Sequence, residues 1–495
     1  MKSVIVIGSG FAGLSAASFL AKEGYDVTIL EKNNQLGGRA RCWETNGFKF
    51  DMGPSWYWMP DVFERYFASF GKEISDLYNL VRLDPSYRVV YGPNDEEDQS
   101  PNMDELEAMF DKLDPGSGLR LRKFLKQAEY KYKVGIQDLV FKPGRSLTEF
   151  MDFRIVKGIF QLDMLKDIRK HVAEVSTHPK LKAILEFPVL FLGALPQNTP
   201  ALYSLMNYAD MSLGTWYPMG GMNKIIEGMV NVAKEQGVKF RTGTEVTGFK
   251  YANDKIISVL TKGGSFTADI VVGGADYHHI DQKISSREYR EYTPQYWEKR
   301  KMAPSSLLFY LGVKGRVSNV LHHNLFFDYE LDQHAHEIYT DPSWPTKPLF
   351  YASAPTKTDS SIAPDGCENM FLLMPTAPGL AGDSEEVREK YYNLMMDRLE
   401  AYTGESIRER VIVKRSFAYS DFKSEYNSFK GNAYGLANTL DQTAIFKPRL
   451  KSKKVSNLYF AGQLTTPGPG VPPSLISGEV VCGEIVKDYS LKKAV

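Results

Sequence analysis

The sequence predicts an α/β fold centred on a parallel sheet, and three adjacent features carry that prediction. Val4-Ile5-Val6-Ile7 is an uninterrupted apolar run, the pattern of a strand buried on both faces. Gly8-Ser9-Gly10-Phe11-Ala12-Gly13 follows at once and fits G-x-G-x-x-G. Leu14 to Glu23 then reads as a helix with Ala17, Leu20 and Ala21 on one face and Gly24 as its stop, before a second strand, Val27 to Leu30, that runs into the acidic Glu31. Strand, glycine loop, helix, strand and carboxylate occur in the order of a βαβ unit.

Such a unit binds a dinucleotide, and each residue has a separate physical reason. Gly8 permits a tight turn out of the strand, Gly10 lets a pyrophosphate approach the backbone, and Gly13 lets the helix pack close to the strands. Free N–H groups and the dipole at the helix start face the phosphate charge. A carboxylate at Glu31 can take both hydroxyls of an adenosine ribose and repels a 2′-phosphate. Phe11, Ala12 and Lys32 flank these positions and belong to the same candidate site.

Farther along, residues 101–215 carry long amphipathic stretches and are expected to be helical, while Tyr251 to Asp276 returns to strands with a turn at Gly263-Gly264. Residues 300–450 mix both types with proline-rich loops. A strand from Asn457 to Ala461 and a helix from about Pro473 to Asp488 close the pattern. Asp95 to Asp98 reads as a solvated acidic loop.

With 495 residues the chain is too long for one core and calls for two or three domains. Lys plus Arg equals Asp plus Glu at 60 each, a balance that argues against nucleic acid, which needs a basic excess. Cys42, Cys367 and Cys482 are too far apart for a CxxC pair or a disulfide framework, which points to a reducing compartment. The histidines, including His278-His279, His322-His323, His334 and His336, lack HExxH spacing and are expected in loops and at the surface, with no metal site. No basic region with a cleavage site precedes the first strand, and no apolar run reaches the ~20 residues of a spanning helix. The expected location is cytoplasmic, and any membrane contact is peripheral.

Further motifs narrow the cofactor. Gln35-Leu36-Gly37-Gly38-Arg39-Ala40 resembles the second phosphate-side motif of the flavoprotein superfamily that holds amine oxidases and carotene desaturases, and Arg39 can meet a pyrophosphate as a bidentate cation. Tyr459-Phe460-Ala461-Gly462-Gln463 resembles its last flavin motif, and Glu245-Val246-Thr247 the strand whose backbone meets the adenine. The resemblance implies FAD, held in a glutathione-reductase-like, Rossmann-type domain assembled from residues 1–65, 220–285 and 452–495. It also implies a mixed-sheet substrate domain from 66–100 and 286–451 and a helical insertion over 101–219. The last helix is expected to aim its N-terminus at the flavin N1/C2=O edge, where it favours the negative charge of reduced flavin.

Three more segments resemble bacterial-type phytoene desaturases: Gly47-Phe48-Lys49-Phe50-Asp51-Met52-Gly53-Pro54-Ser55, Trp216-Tyr217-Pro218-Met219-Gly220-Gly221-Met222, and the ending Thr466-Pro467-Gly468-Pro469-Gly470-Val471-Pro472. Asp51, Gly53, Pro54 and Ser55, with Gly470, Val471 and Pro472, thereby join the implied flavin-binding set. The chain departs from the pattern in carrying Ala-Gly-Gln463 where amine oxidases have Gly-Glu, and Pro472-Pro473 where a glycine follows the proline. The implied activity is conversion of phytoene toward more conjugated products such as lycopene, by hydride transfer to flavin N5. The implied partners are a hydrophobic polyene, a membrane surface on the cytoplasmic side, and oxygen or a quinone as electron acceptor. Isomerases and saturases of other polyenes share the ground plan, and a flavin amine oxidase is the rival of different chemistry. Trp56-Tyr57-Trp58-Met59 is a candidate tunnel lining or core cluster, and Phe153 to Val172 reads first as an amphipathic core helix and second as a membrane face. Asp152, Arg154 and Lys157 lie in a segment loosely similar to a polar patch of these desaturases. A solvated helix face accounts for them more simply, so no catalytic residue is assigned.

Overall fold

The apolar run at the start becomes the middle strand (Ser3–Ile7) of a five-stranded parallel sheet, all of it buried but for the first residue. The computed structural model describes residues 1–145, 166–190, 193 and 195–490. Across the sheet the strands run Leu458–Phe460, Ile270–Gly273, Ser3–Ile7, Asp26–Leu30 and Lys239–Arg241. Three widely separated stretches of chain therefore meet in one sheet. Parallel neighbours need covered faces. One cover is a pair of helices, Phe11–Lys22 and the last helix Val471–Ser490, joined by the Ser15 hydroxyl donating to Leu475 O at 2.7 Å. Small residues allow their close approach: a Cβ on Gly478 would sit 2.6 Å from Ala12 O.

A second sheet of seven strands runs Val411–Phe417, Ser305–Lys314, Cys367–Thr376, Phe350–Ser353, His323–Phe326, Tyr87–Gly92 and Asp95–Gln99. It is antiparallel except where His323–Phe326 lies parallel to Tyr87–Gly92. A three-stranded antiparallel sheet (Val246–Ala252, Lys255–Thr261, Gly264–Thr267) projects from the parallel one. Between residues 101 and 215 the described chain is largely helical, including Met103–Leu113, Ser117–Tyr132 and Pro179–Leu190. No helix among the described residues is long and apolar enough to cross a membrane.

Two sequence expectations fail here. Asp95 to Asp98 is not a loop but the edge strand of the seven-stranded sheet, turned back by Asn94 in a left-handed conformation. Its charge is neutralised locally, since Arg88 grips Asp98 through two nitrogens (2.6 and 2.8 Å), and acidic side chains on an edge also deter pairing with other chains. The histidines are likewise not mainly superficial: His171, His322, His323 and His334 are buried. Burial holds His322, His323 and His334 neutral by pulling their pKa values below the usual range.

Candidate functional site

One continuous cavity extends from the glycine loop at the edge of the parallel sheet to the inner face of the seven-stranded sheet. Its first half is polar and glycine-rich. Gly8 turns at φ +95°, and a Cβ on Gly13 would lie 2.1 Å from Gly8 O, so the helix can follow the strand this tightly only without side chains at these positions. Gly10 differs: no protein atom lies within 4 Å of where its Cβ would be, so its missing side chain serves the cavity rather than the packing. Phe11, Ala12, Lys32, Gly38, Arg39, Gly53, Pro54, Ser55, Val246, Gly462, Gln463, Gly470, Val471 and Pro472 all line this half, as the sequence suggests.

Glu31 closes the far end and is nearly buried. One oxygen accepts from Ser9 N (2.9 Å) and Ser9 Oγ (2.6 Å), and the other from Asn33 N (2.9 Å). Three of about four acceptor positions are thus taken, leaving room for one ribose hydroxyl rather than two.

Arg39 reaches across the middle of the cavity. Its guanidinium donates to Ser428 Oγ (3.0 Å) and Asn432 O (3.3 Å). With the Gln463 amide turned to satisfy its neighbours, Gln463 accepts from Arg39 at 3.0 and 3.2 Å while donating to Tyr434 O at 2.9 Å. The buried Arg39 Nε has no partner, and desolvation pulls the guanidinium pKa down. Asp276 stands beside it, with its own carboxyl pushed up to about 6 by burial. An unpartnered buried donor on a cation, next to a glycine that leaves space, fits an anionic pyrophosphate.

Asp51 and Gly13 do not line the cavity. Gly13 acts through packing. The placement of Asp51 corrects the implied ligand role: its carboxylate accepts from Met222 N (2.7 Å) and Asn223 N (3.0 Å) at the start of the helix Asn223–Glu235. The G-F-x-F-D-x-G-P and P-x-G-G-M segments, read separately in the sequence, are therefore partners. The start of the last helix also differs from expectation. Pro472 and Pro473 have no N–H and Ser474 N donates to Gly470 O (3.1 Å), which leaves the Val471 N–H as the donor facing the cavity. Asp152, Arg154, Lys157 and most of Phe153 to Val172 lie outside the described residues.

The second half of the cavity is aromatic and aliphatic. Trp56, Trp58 and Met59 line it, whereas Tyr57 turns into the core and its hydroxyl meets that of Tyr78 (2.9 Å). The opposite wall, unforeseen from sequence, comes from Leu325, Phe327, the helix Leu331–Tyr339, Leu349 to Tyr351, and Leu373 with Pro375. The only local signal for it is alternating apolar residues in strands, which mark any core. The polar His334 in this wall is satisfied internally: it accepts from Leu349 N and donates to Pro375 O, both at 3.0 Å.

Behind Trp58, Asp210 is buried, accepting from Tyr87 Oη (2.8 Å) and Thr215 Oγ (3.5 Å). Burial pushes its carboxyl up to about 7. Ionisation is thus harder in the folded state than in the unfolded one, so its contribution to stability is present at low pH and is lost as pH rises through about 7. From pH 5 to pH 8 this amounts to about 2–3 kcal/mol. Urea titrations of Asp210→Asn are expected to show that much less loss of stability over the interval; an unchanged pH profile would place the charge elsewhere.

The flavin containing amine oxidoreductase family model matches residues 11–486. The chain is 41% identical over 490 residues to a carotenoid 3,4-desaturase of Haloarcula japonica, covering 99% of both chains. It is 31% identical to a zeta-carotene-forming phytoene desaturase of Myxococcus xanthus, over 97% of this chain and 93% of that one. In structure it resembles a putrescine oxidase (TM-score 0.62, 15% identity, 98% and 99% covered) and an oxidoreductase of Methanosarcina mazei (TM-score 0.62, 15% identity, 97% and 100% covered), likenesses that show the fold. FAD is the cofactor, and the protein is a flavin-dependent oxidoreductase acting on CH–CH bonds. The chain belongs to the flavin containing amine oxidoreductase family and, within it, to the carotenoid desaturases.

Proposed function

We propose that the enzyme introduces a C3–C4 double bond into a long, already conjugated carotenoid. The observation that carries this reading is the single cavity joining the dinucleotide cradle to an apolar chamber. A polyene offers no hydrogen bonds, and the chamber walls are chiefly aromatic and aliphatic. FAD, when bound, supplies the hydride acceptor. The chain positions the reacting C–C bond between Trp56, Phe187, Leu325 and Leu373, keeps water from it, and presents aromatic faces to the positive charge that develops as the hydride leaves. The C3–C4 position rests on the Haloarcula relative, the more similar of the two. Desaturation of phytoene toward lycopene is the second reading, favoured by the Myxococcus relative and by the motifs from Gly47 to Ser55 and Thr466 to Pro472.

The same reading includes the three-part division of the chain into cofactor, substrate and helical regions. It also includes collection of substrate by a cytoplasmic protein held peripherally on the inner membrane face, and passage of electrons to oxygen or a quinone. In the deciding experiment, FAD-loaded protein is offered lycopene or phytoene in liposomes under either acceptor. Lycopene absorption is expected to move to longer wavelength while phytoene stays colourless. Colour from phytoene with lycopene untouched transfers the assignment to the earlier steps, and inertness toward both removes the desaturase reading.

A further inference from the structure

Removing a hydride leaves a positively charged polyene, and the double bond forms only when a neighbouring C–H gives up its proton. Three of the polar groups at the cavity are committed elsewhere. His334 has both nitrogens committed to backbone, and Glu31 and Asp276 belong to the dinucleotide half. Tyr351 is placed differently. It lines the cavity where the two halves meet: its hydroxyl is within reach of those of Ser353 and Ser55, the latter two residues after Gly53, and its ring lies 5.6 Å from that of Trp56. Behind it, 2.5 Å from the hydroxyl, is Nδ1 of His323, a fully buried imidazole stacked on Trp56 (4.2 Å between centroids, 10° between planes). The other nitrogen of His323, Nε2, has no partner. A hydroxyl in the wall of an apolar chamber, backed by a neutral base that makes no other side-chain bond, is the arrangement of a proton acceptor.

We propose that Tyr351 takes the substrate proton and passes its own hydroxyl proton to His323. This rests on the desaturase reading. One C–H bond breaks with its electron pair and hydrogen leaving as hydride to the flavin, which is reduced. The adjacent C–H bond breaks, its electron pair becomes the new π bond, and its proton goes to Tyr351 Oη as the Tyr351 hydroxyl proton moves to His323 Nδ1. Tyr351 ends neutral and His323 carries the charge. Tyr351 is the catalytic residue; His323 acts through it. The polar couple would otherwise be an unexplained cost, because a buried imidazole with an idle nitrogen in an aromatic wall contributes less than an apolar residue of its size.

The test is anaerobic mixing of FAD-loaded protein with liposomal carotenoid, in H2O and D2O, for wild type, Tyr351→Phe and His323→Gln. Hydride loss is reversible until the proton leaves, so net flavin bleaching reports the proton step, and the wild type is expected to bleach more slowly in D2O. Tyr351→Phe is expected to keep its FAD affinity, flavin spectrum and carotenoid binding while bleaching on the order of 10²-fold or more slowly and losing the solvent isotope effect. A purely structural role would not move the isotope effect. Tyr351→Phe bleaching at the wild-type rate, or with the isotope effect retained, overturns the assignment. Should that variant not take up FAD, His323→Gln is judged by the same two readouts, since glutamine fills the site and takes no proton. A wild type that no carotenoid bleaches fails at the earlier step, and the desaturase reading falls with this one.

Discussion

Valine at position 10 is expected to give a folded protein that takes up no FAD. No atom lies within 4 Å of the added Cβ, and Gly10 is already in an extended conformation that any residue adopts, so the apo-protein should lie within about 0.5 kcal/mol of wild type. The new methyl groups project where the pyrophosphate must approach the helix start. Wild type at a hundredfold excess of FAD over Kd gains about 2.7 kcal/mol of stability, and Gly10→Val should gain none. Thermal unfolding with and without FAD, together with the visible spectrum, measures both halves of the claim. Gly13→Ala is the contrasting case: a Cβ 2.1 Å from Gly8 O cannot be accommodated, so that variant is expected to fail in folding rather than in binding. Equal behaviour of the two variants would contradict the separate roles given to the two glycines.

Arg39→Met is expected to weaken FAD binding by about 10²- to 10⁴-fold, the value of one or two charge-assisted hydrogen bonds. The apo-protein should change little. Loss of the contacts to Ser428, Asn432 and Gln463 is offset by relief of a desolvated guanidinium whose Nε lacks a partner. Arg39→Lys keeps the charge but not the fork and should recover only part of the affinity. Equilibrium dialysis at low and high salt checks this, and weak salt dependence is expected for so buried a contact. An affinity unchanged in Arg39→Met would mean that the cation serves the Ser428–Gln463 wall alone.

The cofactor half of the molecule was legible because its signals are local. Val4 to Ile7, the glycine loop and Glu31 lie within one short stretch, and each residue type answers one demand of a phosphate or a ribose. Asp51 shows where locality misleads. A carboxylate just before Gly53-Pro54 looks like a ligand, and only the folded chain brings Met222 and Asn223 to it from a distant segment. His323 shows the same limit from the other side. Nothing adjacent in sequence announces that Trp56 stacks on it or that Tyr351 from the neighbouring strand meets its Nδ1. The chamber wall is harder still, since strands contributing Leu325, Tyr351 and Leu373 are apolar whether they bound a core or a cavity. The acidic strand Asp95–Gln99 was obscured because charge outweighs strand propensity in a short window, while its register with Tyr87–Gly92 and the grip of Arg88 decide the outcome.

The pairing of the last helix with the first has a consequence for the order of events in the cell. The glycine loop is made before the wall carrying Gly462, Gln463 and Val471 and before the Ser15–Leu475 contact that seats it. Until the ribosome has released the segment from Leu458 onward, the parallel sheet lacks its edge strand and the loop faces solvent on one side. A chain lacking that segment is therefore expected to take up no flavin. The yellow of bound flavin would then report that the segment from Leu458 onward has folded against the first helix.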